Sequence, residues 1–474
     1  MLFNSLIFLV FLAVVLLVYP RLRHRPQNVF LLVASYVFYG YWDWRFLLLL
    51  WVSSGVDFWA AARMGRTDDP SVRKRLLLVS MATNLGLLGF FKYFNFFVDS
   101  MGVLIASFGM EPHVPLLRVL LPVGISFYTF QTMSYTIDVY RRRLEPARDL
   151  IDFSLFVAFF PQLVAGPIER ATRLLPQVQQ PRTVTRRQVE TGLNLILMGF
   201  FKKLFVADTL APYVTQVWDD PGAFTAGQLL TGVYAFCFQI YGDFSGYSDI
   251  ARGVSHLLGF ELMENFHAPN LSRSPAEYWK RWHVSLSTWL MDYLYIPLGG
   301  NRKGRLRGYV NLMVTMFLGG LWHGASWTFV AWGVFNGFYL VLYRLTDGRK
   351  VDLHWPRAPR AFAWDVVKVV VTFHLLGIAK ILFRSPDFPT AWQVLTGIAA
   401  GHGLFTFGAA HVFVVCAIML SLDIVQEATG SHTWLADSRR LWLRFSVGTA
   451  LLGITLAAAA YRVYSNPPFI YFQF

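Results

Sequence analysis

Residues 309–343 read YVNLMVTMFLGGLWHGASWTFVAWGVFNGFYLVLY. This run is long enough to enter a lipid bilayer, because about 20 apolar residues cross the hydrocarbon as a helix. An ionisable residue, His323, lies inside it. Such a side chain is costly at membrane depth and persists mainly where it is useful or well paired. Since imidazole moves protons readily near neutral pH, His323 indicates proton-transfer chemistry or a proton path within the membrane.

The composition extends this conclusion to the whole chain. Of 474 residues, 55% are hydrophobic and 15% are charged, whereas soluble domains carry roughly 25% charged residues. We predict an all-α polytopic membrane protein, with residues 1–474 forming a single membrane-embedded domain. About eleven membrane segments are expected, at residues 2–20, 28–62 (two helices broken near 40–44), 76–98, 116–140, 151–168, 190–215, 226–260, 309–343, 362–383, 389–427 and 441–462.

The net charge of +14 does not indicate a nucleic-acid partner. The basic residues form short clusters between apolar segments, at residues 21–25, 73–75, 141–143 and 302–307. This is the positive-inside pattern, and such loops also contact anionic membrane lipids. The first apolar run has no basic region before it and no cleavage site after it, which favours a retained helix. We therefore expect a periplasmic N-terminus in a bacterial inner membrane.

The sequence supports neither a metal site nor a nucleotide site. The two cysteines, Cys237 and Cys416, lie in apolar surroundings, and the histidines do not fall at ligand spacing. P-loop, dinucleotide-binding and serine-hydrolase motifs do not occur. We expect no metal and no tightly bound cofactor.

Two tryptophan–histidine pairs are the leading candidates for a site. Trp282-His283 and Trp322-His323 lie on either side of a transition from a polar to an apolar segment. The plainer alternatives are a satisfied packing role for His323 and an interfacial location for His283. Just before the first pair, Ser274 as N-cap and Pro275 at the first position predict a helix start.

A polar cluster, Gly242-Asp-Phe-Ser-Gly-Tyr-Ser-Asp249, interrupts another apolar run. Its candidate residues are Asp243, Ser245, Tyr247 and Asp249. Buried carboxylates need partners, and Arg252, Lys280 or Arg281 are candidates. We favour a structural buried network over direct catalysis here.

An ordered series of motifs resembles the membrane-bound O-acyltransferase family, and its bacterial branch for alginate O-acetylation in particular. The series is Asp243-Phe-Ser-Gly-Tyr-Ser-Asp249, Glu277-Tyr-Trp-Lys-Arg-Trp-His-Val-Ser-Leu-Ser-Thr-Trp-Leu290, Asp292-Tyr-Leu-Tyr-Ile-Pro-Leu-Gly-Gly-Asn301 and Gly319-Gly-Leu-Trp-His-Gly324. The likeness covers about residues 1–345, the motif-bearing core. Residues 346–474 show little beyond apolar helices.

The resemblance implies a ring of membrane helices, with re-entrant and interfacial helices, around a central funnel. It implies that His323 is the catalytic histidine and His283 a second active-site residue. Trp282, Trp322, Trp327, Arg281 and Asn301 are supporting candidates. Asn270 and Tyr278 depart mildly from the pattern, which puts the particular polysaccharide in doubt.

The implied reaction is transfer of an acyl group, acetyl above all, from a cytoplasmic thioester to hydroxyls of an extracytoplasmic polysaccharide such as alginate. Acetyl-CoA is the expected donor, and a periplasmic SGNH-type acetyltransferase is an expected partner. The open alternatives are a carrier-protein or long-chain donor, and a transporter or proton-coupled permease, which also explains intramembrane His and Asp. Whether His323 acts as base or nucleophile is also open.

Overall fold

The computed structural model describes residues 1–111, 120–164, 166–346, 353, 355, 359–406 and 408–461. Within these residues every regular element is helical, which confirms the all-α prediction. The α-helices are α1 (Leu6–Val18), α2 (His24–Gly40), α3 (Phe46–Met64), α4 (Pro70–Leu88), α5 (Phe94–Ser107), α6 (Ile125–Tyr140), α7 (Leu150–Ala158), α8 (Phe160–Leu163), α9 (Ala171–Gln179), α10 (Arg186–Phe200), α11 (Asp208–Asp219), α12 (Ala226–Leu257), α13 (Pro275–Arg281), α14 (Val284–Leu290), α15 (Arg305–His323), α16 (Trp327–Thr346), α17 (Pro359–Arg384), α18 (Phe388–Ala400), α19 (Ala410–Thr429), α20 (Trp434–Asp437) and α21 (Leu441–Tyr461).

Five helical stretches within the described residues are long and apolar enough to cross a membrane. They are Phe46–Met64, Pro70–Ser107, Arg360–Arg384, Ala410–Thr429 and Leu441–Ala460. They establish a multi-pass membrane protein. The count of eleven segments and their ring arrangement stay predictions.

Several breaks in the helices fall where the sequence predicted them, and others do not. The predicted break near residues 40–44 is confirmed between α2 and α3. Residues 389–427 were expected as one segment, but they form α18 and α19 around Gly401 and Gly403, which adopt φ values of +69° and +62°. Glycine adopts this left-handed backbone at little cost, so the helix ends there. The start of segment 116–140 (residues 116–119), Ala165 of segment 151–168 and residue 462 lie outside the described residues.

One compact unit comprises Met1–Leu193 together with Ala251–Met263. Its interior holds a polar network in which Asp57 accepts hydrogen bonds from Ser80 and Asn84, and Asn84 in turn accepts one from Ser53. All four side chains are buried. Such side chains link helices where water is absent.

A second compact unit comprises Asn194–Ile250 together with Glu264–Phe474, and it contains the candidate site. In it α15 and α16 pack closely through glycines. A Cβ on Gly320 would collide with the carbonyl oxygen of Phe329, and one on Gly333 with that of Met316. Small residues allow such close backbone approach between membrane helices. The prediction of a single domain over residues 1–474 stays a prediction.

Candidate active site

His323 is the last residue of α15, and its side chain is buried, with 4% of its surface exposed. The helix stops because Gly324 adopts an extended backbone, and α16 begins at Trp327. A Cβ on Gly324 would collide with the ring of Phe329. The residue after His323 therefore has to be glycine if the turn is to close tightly. The 309–343 run thus forms two helices rather than the single segment predicted.

Aromatic rings enclose His323 on several sides. Its ring centroid lies 5.0 Å from that of Trp322, 5.0 Å from that of Trp332 and 5.3 Å from that of Phe383. All three contacts are edge-on or T-shaped. These rings exclude bulk water from the imidazole, and water would compete with an acceptor for an acyl group.

His283 lies at the turn between α13 and α14 and is fully buried. Protein side chains therefore enclose its ring, and the interfacial location considered from the sequence stays a prediction. Its ring packs edge-on against Phe244 at 4.6 Å between centroids. Burial lowers the pKa of His283 to about 3, so the ring is neutral at physiological pH.

The two tryptophan–histidine pairs meet in space. The ring of Trp322 lies 5.0 Å from that of His323 and 5.8 Å from that of His283. Trp282 is buried and stacks on Tyr278, with 5.5 Å between centroids and 14° between planes. The predicted helix start is also confirmed, since Ser274 accepts a hydrogen bond from the Glu277 amide at the start of α13.

His323 lies on the wall of a cavity of about 1020 Å³. Apolar and aromatic side chains form much of its lining, including Trp279, Leu312, Met316 and Trp332. Its basic lining residues are Lys280, Arg305 and Arg344, and the described lining includes no Asp or Glu. The cavity therefore suits a ligand with an anionic head and a less polar tail.

Asn301 lies in the lining of this cavity, within a hydrogen-bonded group. It accepts a hydrogen bond from the Tyr295 hydroxyl at 2.5 Å and one from Arg344 at 3.2 Å. Arg344 also donates to the Tyr295 hydroxyl at 2.9 Å. Among the residues that the structure describes, both side-chain hydrogen-bond partners of Arg344 are neutral groups.

The Asp243–Asp249 cluster forms buried ion pairs with partners that the sequence did not suggest. Asp249 pairs with Lys202 at 2.7 Å, and Asp243 pairs with Lys203 at 2.8 Å. The Lys203 ammonium also lies over the ring of Tyr247, 5.8 Å from its centroid. A buried pair of this kind is costly to break, because the remaining charge is left in a low-dielectric interior. These contacts favour the structural network over direct catalysis.

The same network reaches His432, whereas Arg281 pairs elsewhere. The His432 ring lies 2.7 Å from Asp249 and 3.0 Å from Glu264. Arg281, proposed as a partner for the aspartates, instead pairs with Glu277 at 2.9 Å and Glu427 at 2.6 Å. The Ser245 side chain is buried as well.

Trp327, one of the supporting candidates, is 52% exposed at the start of α16, and its role in the site stays a prediction. Trp332, further along the same helix, contacts the His323 ring. Sequence reasoning also missed Phe383, Lys380 and Arg344. A basic residue inside the apolar run 362–383 was the available signal for Lys380. No sequence signal marked Trp332 and Phe383, because contacts between helices far apart in the chain leave no local pattern.

Comparisons with known proteins identify the family of the chain. The model of the membrane-bound O-acyltransferase family matches residues 141–384. A probable alginate O-acetylase of Pseudomonas aeruginosa is 43% identical over 86% of this chain and 75% of its own length. One from Pseudomonas putida is 38% identical over 100% of both chains, and the peptidoglycan O-acetyltransferase of Helicobacter pylori is 32% identical over 85% of this chain and 81% of its own.

The chain belongs to the membrane-bound O-acyltransferase family. It is a multi-pass membrane enzyme that transfers an acyl group to a hydroxyl. The similarity continues past residue 345, where recognisable motifs become sparse. The family assignment favours the enzyme over the transporter that the sequence had left open.

Proposed function

We propose that this protein is an O-acetyltransferase that takes acetyl from cytoplasmic acetyl-CoA and passes it toward hydroxyls of an extracytoplasmic polysaccharide such as alginate. The names of its relatives support the acetyl group, and those of the Pseudomonas relatives support alginate. The observation that carries the proposal is the cavity whose lining includes both His323 and three cations.

The charge of the cavity matches a phosphorylated thioester. Guanidinium groups bind phosphate oxygens in a fork geometry, and a lysine adds a point charge. Coenzyme A carries a diphosphate and a further phosphate, so three cations suit it better than the single phosphodiester of a carrier-protein arm. The apolar lining residues of the cavity suit the less polar thioester end of the same molecule. This match favours acetyl-CoA over a carrier-protein donor.

The orientation follows from the positive-inside rule. The basic run 302–307 includes Arg305 of the cavity lining, and such runs favour the cytoplasmic side of a membrane. The donor then enters from the cytoplasm of a bacterium, across its inner membrane. The cluster at residues 21–25 likewise supports a periplasmic N-terminus.

The chemistry proposed for His323 is a proton transfer coupled to carbonyl addition. The acceptor hydroxyl oxygen bonds to the thioester carbon while its proton passes to the imidazole, and the carbonyl electron pair moves to oxygen. Collapse breaks the carbon–sulfur bond, and the imidazolium returns the proton to sulfur. The neutral ring of His283 donates a hydrogen bond to the carbonyl oxygen or orients the acceptor. In the alternative route His323 carries the acetyl group first.

The proposed partners follow from the direction of transfer. Membrane lipids contact the enzyme directly, and the polysaccharide is the final acceptor. A periplasmic SGNH-type acetyltransferase completes the transfer to the polysaccharide.

A donor assay in inside-out membrane vesicles tests this function. Labelled acetyl-CoA added outside the vesicles should yield acetylated product in the lumen. Arg344→Gln should raise the KM for acetyl-CoA about 3- to 10-fold with kcat nearly unchanged, because it weakens donor binding only. Arg302→Gln, an exposed arginine outside the cavity lining, is the matched control. Turnover with an acetylated carrier protein or a long-chain thioester, and none with acetyl-CoA, would contradict the proposal.

A further inference from the structure

A buried lysine lies beside the candidate site and belongs to none of the groups discussed so far. Lys380 is in α17, inside the membrane-crossing stretch Arg360–Arg384, and only 6% of it is exposed. A charged residue at such a depth is expensive to keep and usually serves a function.

The contacts of Lys380 are aromatic. Its ammonium lies 5.3 Å from the ring centroid of Trp282 and 5.5 Å from that of Tyr278, the stacked pair next to His283. The Lys380 ammonium also donates a hydrogen bond to the Cys237 sulfur. Aromatic faces attract a desolvated cation, although by less than a carboxylate does.

Lys380 differs from the other buried lysines of the same unit. Lys202 and Lys203 each form an ion pair with an aspartate. In the part of the chain that the structure describes, Lys380 forms no ion pair with a carboxylate. Its positive charge is therefore not cancelled locally, and it remains available to an anion that forms nearby.

The helix that carries Lys380, α17, also contacts His323. Phe383, three residues on and thus on the same face of α17, contacts the His323 ring at 5.3 Å. One face of α17 therefore meets the Trp282–His283 turn through Lys380 and His323 through Phe383. Lys380 therefore lies on the helix face that contacts both tryptophan–histidine pairs.

We infer that Lys380 supplies the positive charge that stabilises the oxyanion formed during acyl transfer, acting across the Trp282–His283 turn. This inference rests on the proposed function. When the acceptor oxygen bonds to the thioester carbon, the carbonyl electron pair becomes a localised negative charge, and the proton moves to His323. A fixed cation in a dry site lowers the energy of that state, and the charge is neutralised again when the carbon–sulfur bond breaks.

Stability and activity are expected to move in different directions on replacement of Lys380. Replacing a buried charge by an apolar side chain of similar length is often neutral or stabilising. A purely structural lysine would then be dispensable for catalysis, whereas one that serves the reaction would not.

Kinetics of Lys380→Met and Lys380→Arg, with melting temperatures in detergent, test the inference. The Met variant should keep or raise the melting temperature and lose about 10- to 100-fold in kcat, with the KM for acetyl-CoA nearly unchanged. The Arg variant should recover most of the rate, because it keeps the charge and the aromatic contacts. Lys368→Met on the same helix, with its side chain 43% exposed, is the control and should leave kcat unchanged.

Two outcomes would overturn the inference: a Met variant with full kcat, or one that loses its fold. Measuring His323→Ala in the same assay distinguishes failure of the lysine inference from failure of the proposed function. If it is inactive while the Met variant is fully active, the lysine inference fails and the proposed function stands. If His323→Ala is active, the proposed function itself fails.

Discussion

At the residue scale, His283 has a backbone conformation that is unfavourable for most residues other than glycine. Its φ is +43°, in the left-handed region. Such a conformation costs an L-residue other than glycine, asparagine or aspartate about 1 kcal/mol or more. Strain at a buried histidine beside a cavity is often tied to function, because the surrounding structure has to hold it in place.

Replacing His283 by Asn and by Ala should separate the backbone from the ring. Asn tolerates the left-handed region, so His283→Asn should keep the melting temperature while kcat falls about 10- to 100-fold. His283→Ala should lose the same activity and be about 1 kcal/mol less stable than His283→Asn, because the left-handed backbone strains alanine more than asparagine. Kinetics and thermal unfolding of both variants provide the check. An Asn variant with wild-type kcat would show that the ring has no part in the reaction.

The residues of the site were only partly predictable. The Trp282-His283 and Trp322-His323 pairs stood out because ionisable groups in apolar surroundings are rare. The partners Lys202 and Lys203 were missed because two adjacent lysines after an apolar run also suit a membrane interface. Burial, which decides between the two, depends on helices far away in the sequence.

At the element scale, the α15–α16 pair positions His323, and its geometry depends on glycine. Gly333→Ala should destabilise the protein by about 1–3 kcal/mol, since the new methyl group collides with the Met316 carbonyl oxygen and forces the helices apart. Activity should fall too, because His323 ends α15. Gly453→Ala in α21, where a Cβ meets nothing within 4 Å, is the control and should leave both quantities unchanged. Equal melting temperatures for Gly333→Ala and Gly453→Ala would show that close packing of α15 against α16 does not stabilise the protein.

The buried network around His432, between α19 and α20, should make stability depend on pH. Burial lowers the pKa of His432, but Asp249 and Glu264 outweigh burial, and the net pKa is raised. A raised pKa means that protonation stabilises the folded state fully below about pH 6.5 and that this contribution is lost as pH rises through the folded-state pKa.

The stability difference between wild type and His432→Gln should therefore decrease as pH rises. We expect about 2 kcal/mol in favour of wild type below pH 6.5, shrinking as pH is raised, because the charge-assisted hydrogen bonds are lost. Thermal unfolding in detergent over a pH series measures it. A difference that grows with pH would have the opposite sign and rule out this account.

Local patterns predicted some element boundaries well. Ser274 and Pro275 placed the start of α13 correctly, because caps act through neighbouring residues. The break at Gly324 was not predicted within the apolar run 309–343. Its cause is the ring of Phe329 pressed against the Gly324 backbone, which is a contact of tertiary structure.

At the scale of the whole molecule, composition and an ordered set of motifs were enough to predict the class of protein. High apolar content predicted the membrane, and the resemblance carried by an ordered series of motifs over residues 243–324 indicated the family to which the chain belongs. The number of membrane segments was harder to predict from the sequence. Many helices here are short or broken, so hydropathy does not delimit them.

The central claim is that acetyl transfer depends on the imidazole of His323. Acetylation of exported alginate, measured in cells that produce wild type, His323→Gln or His374→Gln at equal membrane levels, tests it most directly. His374 is an exposed histidine of α17 and serves as the matched control. We predict a loss of at least about 100-fold for His323→Gln and none for His374→Gln. Normal acetylation by His323→Gln would contradict the claim.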